Sequence, residues 1–306
     1  MEFLTLATGA KMPQVGIGTW KAAPGDVGRA VEYALTEAGY RHVDGAAIYR
    51  NEPEVGEAYA KVFKSGTVKR EEVFITSKLW NDSHRAERVA AACKKTLSEL
   101  QLDYLDLYLM HWGFAQPEGD EQVDINGFQK YEKISVRETW EAMQELVKAG
   151  LVKAIGVANF TVPQLIDLLS YAALPPAVNQ VELHPYLQQP RLVEFCLYRG
   201  ITVTAYSPLG SPGNYAESGK AAPLKDPAIA AIAAAHGKTP AQVMLRWGIE
   251  RGTIVIPKST HETRLQENID VFDFELSAED MTAIATLEKN IRFVDPYQWG
   301  KVPYFD

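Results

Sequence analysis

The sequence predicts an α/β fold: a (β/α)8 TIM barrel with an N-terminal β-hairpin, folded as a single domain over residues 1–306. Three observations carry this prediction. Short apolar runs alternate with helical patterns eight times, the pattern of parallel strands joined by crossover helices. The runs are too apolar to leave one face in water, so helices must cover them. No Pro/Gly/Ser-rich linker or low-complexity tract interrupts the alternation, and a barrel often folds more than ~250 residues as one unit. Eight repeats favour a closed sheet over an open one.

Phe3–Leu6 and Lys11–Pro13, with a Thr-Gly turn between them, form the expected hairpin. Barrel strands are predicted near Val15–Gly18, Arg41–Asp44, Val73–Ser77, Tyr104–Met110, Ala154–Val157, Ala177–Glu182, Thr202–Tyr206 and Thr253–Pro257. Helices are predicted between them at Asp26–Ala38, Glu52–Phe63, Arg85–Leu100, Val136–Ala149, Val162–Ala172, Gln189–Tyr198 and Pro240–Arg251. In the fourth of these, Val136, Trp140, Met143 and Val147 share one face and Gly150 supplies the stop. Pro227–Ala235 and Ser277–Lys289 read as further helices. Long segments at 112–135 and 208–225 follow strands, and a C-terminal loop spans 290–306. Segments that follow barrel strands are where such folds carry functional loops.

Composition narrows the partners. Thirty-nine acidic residues against 31 basic ones leave a formal charge of −8, which repels a polyphosphate backbone and argues against nucleic acid. A local basic cluster for one phosphate remains compatible with that charge. Two cysteines, Cys93 and Cys196, make neither a disulfide framework nor a metal quartet and suit a reducing compartment. The N-terminus lacks a signal-peptide pattern, the C-terminus lacks a lipidation signal, and no run approaches the ~20 apolar residues of a membrane span. A cytoplasmic monomer, away from membranes and acting on a small molecule, is the expectation.

Polar residues collect after the strands: Asp44, Lys78, His111, Asn159, Gln180, Tyr206 and Lys258. In a barrel these positions converge on one mouth. Asp44, Tyr49, Lys78 and His111 make chemical sense together. A tyrosine with a pKa near 10 is a poor proton donor to a carbonyl oxygen at neutral pH, and a neighbouring ammonium lowers that pKa. Asp44 would hold Lys78 charged and in place, while His111 could orient the carbonyl. Taken singly, each residue reads more readily as packing: a buried Asp–Lys pair, a packed tyrosine and a satisfied histidine. His42, His84, His184, His236 and His261 show no metal-ligand spacing, so no metal is expected. Gly16-Ile-Gly18 lacks the third glycine of a dinucleotide fingerprint. Lys258, Ser259 and Arg264 near a helix start could grip a phosphate monoester, or simply form a solvated charged helix start.

Seven segments in order resemble the aldo-keto reductases: Gly9–Trp20, Tyr40–Glu52, Ile75–Trp80, Leu105–Trp112, Ile155–Phe160, Asn179–Pro185 and Tyr206–Gly210, followed by Ile256–Ser259. The likeness extends to Phe274. It implies a barrel that binds NADPH/NADP+ in extended form, with Tyr49 as general acid tuned by Lys78 and Asp44, and His111 orienting substrate. Asn159 and Gln180 would hold the nicotinamide carboxamide, and Tyr206 would stack on the ring. Thr19, Trp20, Ser207, Leu209 and Ser211 would line the cofactor's path. Lys258, Ser259 and Arg264 would take the 2′-phosphate, with Glu267 and Asn268 near the adenine. Trp20, Ile48, Trp80, Trp112 and Trp299 would wall the substrate pocket, with Tyr297 and Tyr304 closing it from the tail. Two departures stand out: Ala158 replaces the usual serine beside Asn159, and Gly45 replaces a larger residue. The expected activity is NADPH-dependent reduction of aldehydes, with aldoses and some ketones in scope. The alternatives are a Schiff-base lyase using Lys78, which a paired Asp44 opposes, and a non-catalytic member of the same fold, which the complete tetrad opposes.

Overall fold

Eight parallel strands pair in the order they occur in the chain. In this computed structural model, which describes residues 2–119, 122–212 and 222–306, they are β3 (Ile17–Gly18), β4 (His42–Asp44), β5 (Phe74–Leu79), β6 (Leu107–Met110), β7 (Ile155–Ala158), β8 (Val178–Glu182), β9 (Thr202–Tyr206) and β10 (Ile254–Val255). The first and last strands meet through a parallel bridge from Val15 to Val255. The Gly16 N–H donates to the Val255 carbonyl at 2.9 Å, the Val255 N–H to Gln14 at 2.8 Å, and the Gly18 N–H to Pro257 at 3.1 Å. The sheet is a closed barrel, as the alternation predicts.

Side-chain alternation sorts the strands into two layers. Leu107 and Leu109 face inward to a small cluster, while Tyr108 and Met110 join the larger core beneath the helices. The inner space is tight. A Cβ on Gly156 would lie 2.6 Å from the Val178 carbonyl oxygen and 2.8 Å from the Leu109 side chain, so only glycine fits there. The hairpin, β1 (Phe3–Thr5) and β2 (Lys11–Pro13), pairs antiparallel. Leu6, just after β1, and Met12, within β2, are buried with Phe74, Ala154, Ala177 and Ile254, residues at or just before the strand starts, so the hairpin plugs the barrel floor.

The outer helices are α1 (Val27–Thr36), α2 (Glu52–Ser65), α3 (Ala86–Leu100), α4 (Val136–Lys148), α5 (Val162–Tyr171), α6 (Pro190–Tyr198), α7 (Pro227–His236) and α8 (Pro240–Glu250). Their starts are chemically marked. Ser135 accepts the Glu138 N–H at 3.1 Å ahead of α4, and Thr239 with Gln242 makes a reciprocal capping pair ahead of α8. The helix start foreseen near Lys258 is α9 (Glu262–Ile269), followed by α10 (Ala278–Ala285) and a single turn, α11 (Tyr297–Gly300). Helix α10 ends before the predicted Lys289, because Glu288 turns away and accepts the Gln188 N–H at 2.6 Å. Strands β3 and β10 are shorter than predicted. Their outer residues bond across the barrel seam, and Pro257 has no N–H to extend a ladder. Parts of the two long loops, residues 120–121 and 213–221, lie outside the described residues. Among the described residues no helix is long and apolar enough to cross a membrane.

Candidate active site

The C-terminal ends of the strands open into a cavity of ≈ 580 Å³. Asp44 ends β4, and its backbone carbonyl accepts the Thr19 hydroxyl at 3.0 Å. The chain then makes a single 3₁₀ turn, Ala47–Tyr49, closed by Arg50 in the left-handed region at φ 56°. This turn swings half-buried Tyr49 back over the mouth. Lys78, on β5, is 1% exposed. Its Nζ donates to Asp44 Oδ1 at 2.6 Å, the Gly45 carbonyl at 2.7 Å and Tyr49 Oη at 3.3 Å. An ammonium has three donors, and these partners occupy all of them. Gln180 Nε2 donates to Asp44 Oδ2 at 2.7 Å, so both carboxylate oxygens are engaged.

These contacts set the protonation states. Burial alone would lower Lys78, but Asp44 and Tyr49 overcome it and hold the ammonium above its ordinary value. For Tyr49 the balance runs the other way. Lys78 pulls the hydroxyl down as expected, yet burial outweighs that pull and the net shift is upward. The ammonium therefore eases formation of a phenolate without producing one in the resting site. His111 directly follows β6 and touches Tyr49 and Trp80 edge-on, with ring centroids at 6.0 and 5.1 Å. Burial, then the charges of Lys78 and His84, push His111 well below the ordinary histidine value, so its ring is neutral. Its Nδ1 is buried with no hydrogen-bond partner among the described residues.

Beyond the tetrad, Asn159 adopts a left-handed backbone at φ 64°. Its Nδ2 donates to the His111 carbonyl at 2.9 Å, and its Oδ1 accepts the Tyr206 hydroxyl at 2.7 Å. Ala158, Gln180, Tyr206, Ser207, Leu209 and Ser211 line the same cavity, as do Thr19 and Trp20. At the seam between β10 and β3 stand Lys258, Arg264 and Lys21. Lys258 Nζ donates to the Lys21 carbonyl at 3.1 Å, and burial lowers its pKa with Asp26 opposing. Lys21, Val294, Pro208 and Pro212 also line the cavity and were missed from the sequence. Lys21 had one available signal, a cation directly after Trp20. Ser259 is buried and accepts the His261 N–H at 3.1 Å, while Glu267 and Asn268 ride on α9, and none of these three lines the cavity.

The remaining wall is aromatic and apolar: Trp20, Ile48, Trp80, Trp112 and Trp299, joined by Val294. Trp112 is buried against Trp299 at 5.9 Å and Tyr304 at 5.2 Å. Tyr304 backs Trp112 rather than facing the cavity, its hydroxyl accepting the Gly113 N–H and Gln164 Nε2, each at 3.0 Å. Tyr297 is 58% exposed and lies outside the wall, which corrects its expected place. Among the described residues no group of three His, Cys, Asp or Glu side chains could hold a metal ion.

The sequence model of the Aldo/keto reductase family matches residues 12–289, most of the chain. The chain belongs to that family. Aldo-keto reductase family 1 member A1-A of Danio rerio is 51% identical over 297 residues, covering 96% of this chain and 91% of that protein. Aldo-keto reductase family 1 member A1 of Rattus norvegicus is 49% identical over 295 residues, covering 95% and 90%. Among solved structures, the aldose reductase of Schistosoma japonicum superposes with a TM-score of 0.92 at 43% identity, over 100% of this chain and 98% of that one. Membership and relatives together support carbonyl reduction by this aldo/keto reductase, an oxidoreductase whose family implies a nicotinamide cofactor.

Proposed function

We propose that the protein reduces aldehydes to alcohols, with aldoses and some ketones in scope, using NADPH as reductant and Tyr49 as proton donor. One observation carries the reading: Tyr49 Oη lies on the cavity wall, 3.3 Å from an ammonium that Asp44 holds at 2.6 Å. Burial keeps the phenol protonated through the neutral range, so the proton is in place when a carbonyl arrives. When that proton passes to the carbonyl oxygen, the phenolate left behind faces Lys78, which stabilises it. Neutral His111 can donate a ring N–H to the same oxygen and hold the carbonyl against Tyr49.

The lining fits the cofactor. Gln180 is fixed through Nε2, and its Oε1 enters no hydrogen bond among the described residues, which leaves an acceptor for a carboxamide. Asn159 and Tyr206 would flank the ring, and Thr19, Trp20, Ser207, Leu209 and Ser211 would follow the chain of the molecule outward. Lys258 and Arg264 would meet the 2′-phosphate, with Ser259, Glu267 and Asn268 extending that clamp beyond the cavity. Bound there, NADPH supplies the hydride that the carbonyl carbon receives. Protonated Lys78 is a poor nucleophile, which disfavours the Schiff-base alternative. The free, buried cysteines are consistent with a cytoplasmic setting, and a monomer completes the proposal. The test is loss of NADPH absorbance with a panel of aldehydes. Turnover is expected. A chain that binds NADPH but oxidises it with no aldehyde or ketone would instead be a non-catalytic member of the fold.

A further inference from the structure

Glu182 stands apart from the tetrad and has no role in the reading above. It is the last residue of β8, with 0% exposure. A carboxylate at that depth needs donors on both oxygens. Two of them come from the C-terminal tail: Oε1 accepts the Phe293 N–H at 2.7 Å and Oε2 accepts the Val294 N–H at 2.9 Å. His184 Nε2 sits 3.0 Å from Oε1, and the His184 ring packs on Phe293 at 5.1 Å. A second fixation lies further along, where the Gln129 N–H donates to the Gly300 carbonyl at 2.8 Å. Between these two points run Val294 and Trp299, the tail residues that line the cavity.

We infer that Glu182 is a positioning residue for substrate choice: its carboxylate pins the tail backbone at Phe293 and Val294, so that the tail forms the cavity's apolar wall. Charge-assisted bonds to backbone N–H groups are the strong kind, and a two-oxygen acceptor suits two successive donors. The inference rests on the reductase reading, since it concerns which carbonyls that site accepts. A small aldehyde that reaches only Tyr49 and His111 does not use this wall, whereas a long apolar one does.

The experiment uses the full chain with Glu182→Gln, which keeps the shape but turns an NH2 toward one of the two N–H donors. Hydrogen exchange by mass spectrometry is expected to speed up in residues 290–300 by about tenfold, while the barrel strands stay protected. KM for 4-phenylbutanal should rise roughly tenfold, and KM and kcat for propanal should stay within about twofold. Val294→Pro removes one donor without touching the buried acid, and it should reproduce the faster exchange in the tail if the Gln variant does not fold. Unchanged tail exchange in these variants would overturn the inference. So would equal losses with both aldehydes, the mark of a merely structural residue. Because exchange is read without turnover, an inactive wild type would sink the reductase reading and leave the pinning test standing.

Discussion

Two clusters in this molecule use the same three residue types, an aspartate, a lysine and a tyrosine, at opposite ends of the barrel. At the floor, Asp106 precedes β6 and accepts Arg70 at 2.8 Å, the Ile75 N–H at 3.0 Å and Lys153 at 3.1 Å. Arg70 and Lys153 both lie 4.1 Å from the Tyr104 ring, covering it. Here the charges are consumed in tying strand starts to backbone. At the mouth, Asp44 and Lys78 are more deeply buried, yet the third donor of Lys78 is spent on a tyrosine hydroxyl that faces a cavity. Placement, rather than residue type, makes one cluster a clamp and the other a proton device.

Breaking each cluster should therefore give different signatures. Lys78→Met is expected to have the largest effect, lowering kcat on the order of 10³-fold by leaving Tyr49 with an unassisted phenol. Its steady-state rate would be compared at saturating NADPH, with circular dichroism to check the fold. Asp106→Ala should do the opposite, costing about 3 kcal/mol of stability in a urea melt while kcat for propanal stays within about twofold. If the floor variant loses turnover without losing stability, the contrast between the two ends fails. Arg264→Ala sharpens the account of the mouth's outer rim. NADPH affinity should fall about tenfold in a fluorescence titration and NADH affinity should hardly move, because only the former carries the 2′-phosphate. Equal losses would make Arg264 a support of the fold. The smallest effect belongs to Ala158→Ser, which should tighten NADPH by less than about tenfold, as one new neutral hydrogen bond allows. A marked weakening would misplace position 158.

The mouth side of this contrast was readable in the sequence, the floor cluster was not, and what stayed hidden has physical causes. Strand-end residues such as Asp44, Lys78 and His111 announce themselves because an apolar run stops at a polar residue, and the closed parallel sheet follows from eight such runs. Tyr49 is harder. It sits past the strand on a 3₁₀ turn ended by Arg50 rather than glycine, so family likeness, not local pattern, places it. The sign of its shift was also out of reach, since burial and Lys78 oppose each other and only packing decides between them. The tail was the least legible part. Val294 enters the wall through backbone N–H bonds to Glu182, more than a hundred residues earlier in the chain, and backbone donors leave no mark on side-chain pattern. Ser259, Glu267 and Asn268 show the converse: their spacing suggests a clamp, but they stand outside the cavity.

The central claim is that Tyr49 delivers the proton, and Tyr49→Phe tests it most directly. Single-turnover consumption of NADPH with propanal would be followed in wild type and variant across pH, with cofactor affinity titrated alongside. In wild type the rate should be flat from roughly pH 7 to 9, since Tyr49 and Lys78 are shifted up and His111 down, so that none titrates in that window. In the variant the rate should fall ~10²–10⁴-fold with NADPH affinity unchanged. A variant that keeps near wild-type turnover would take the proton-donor role away from Tyr49.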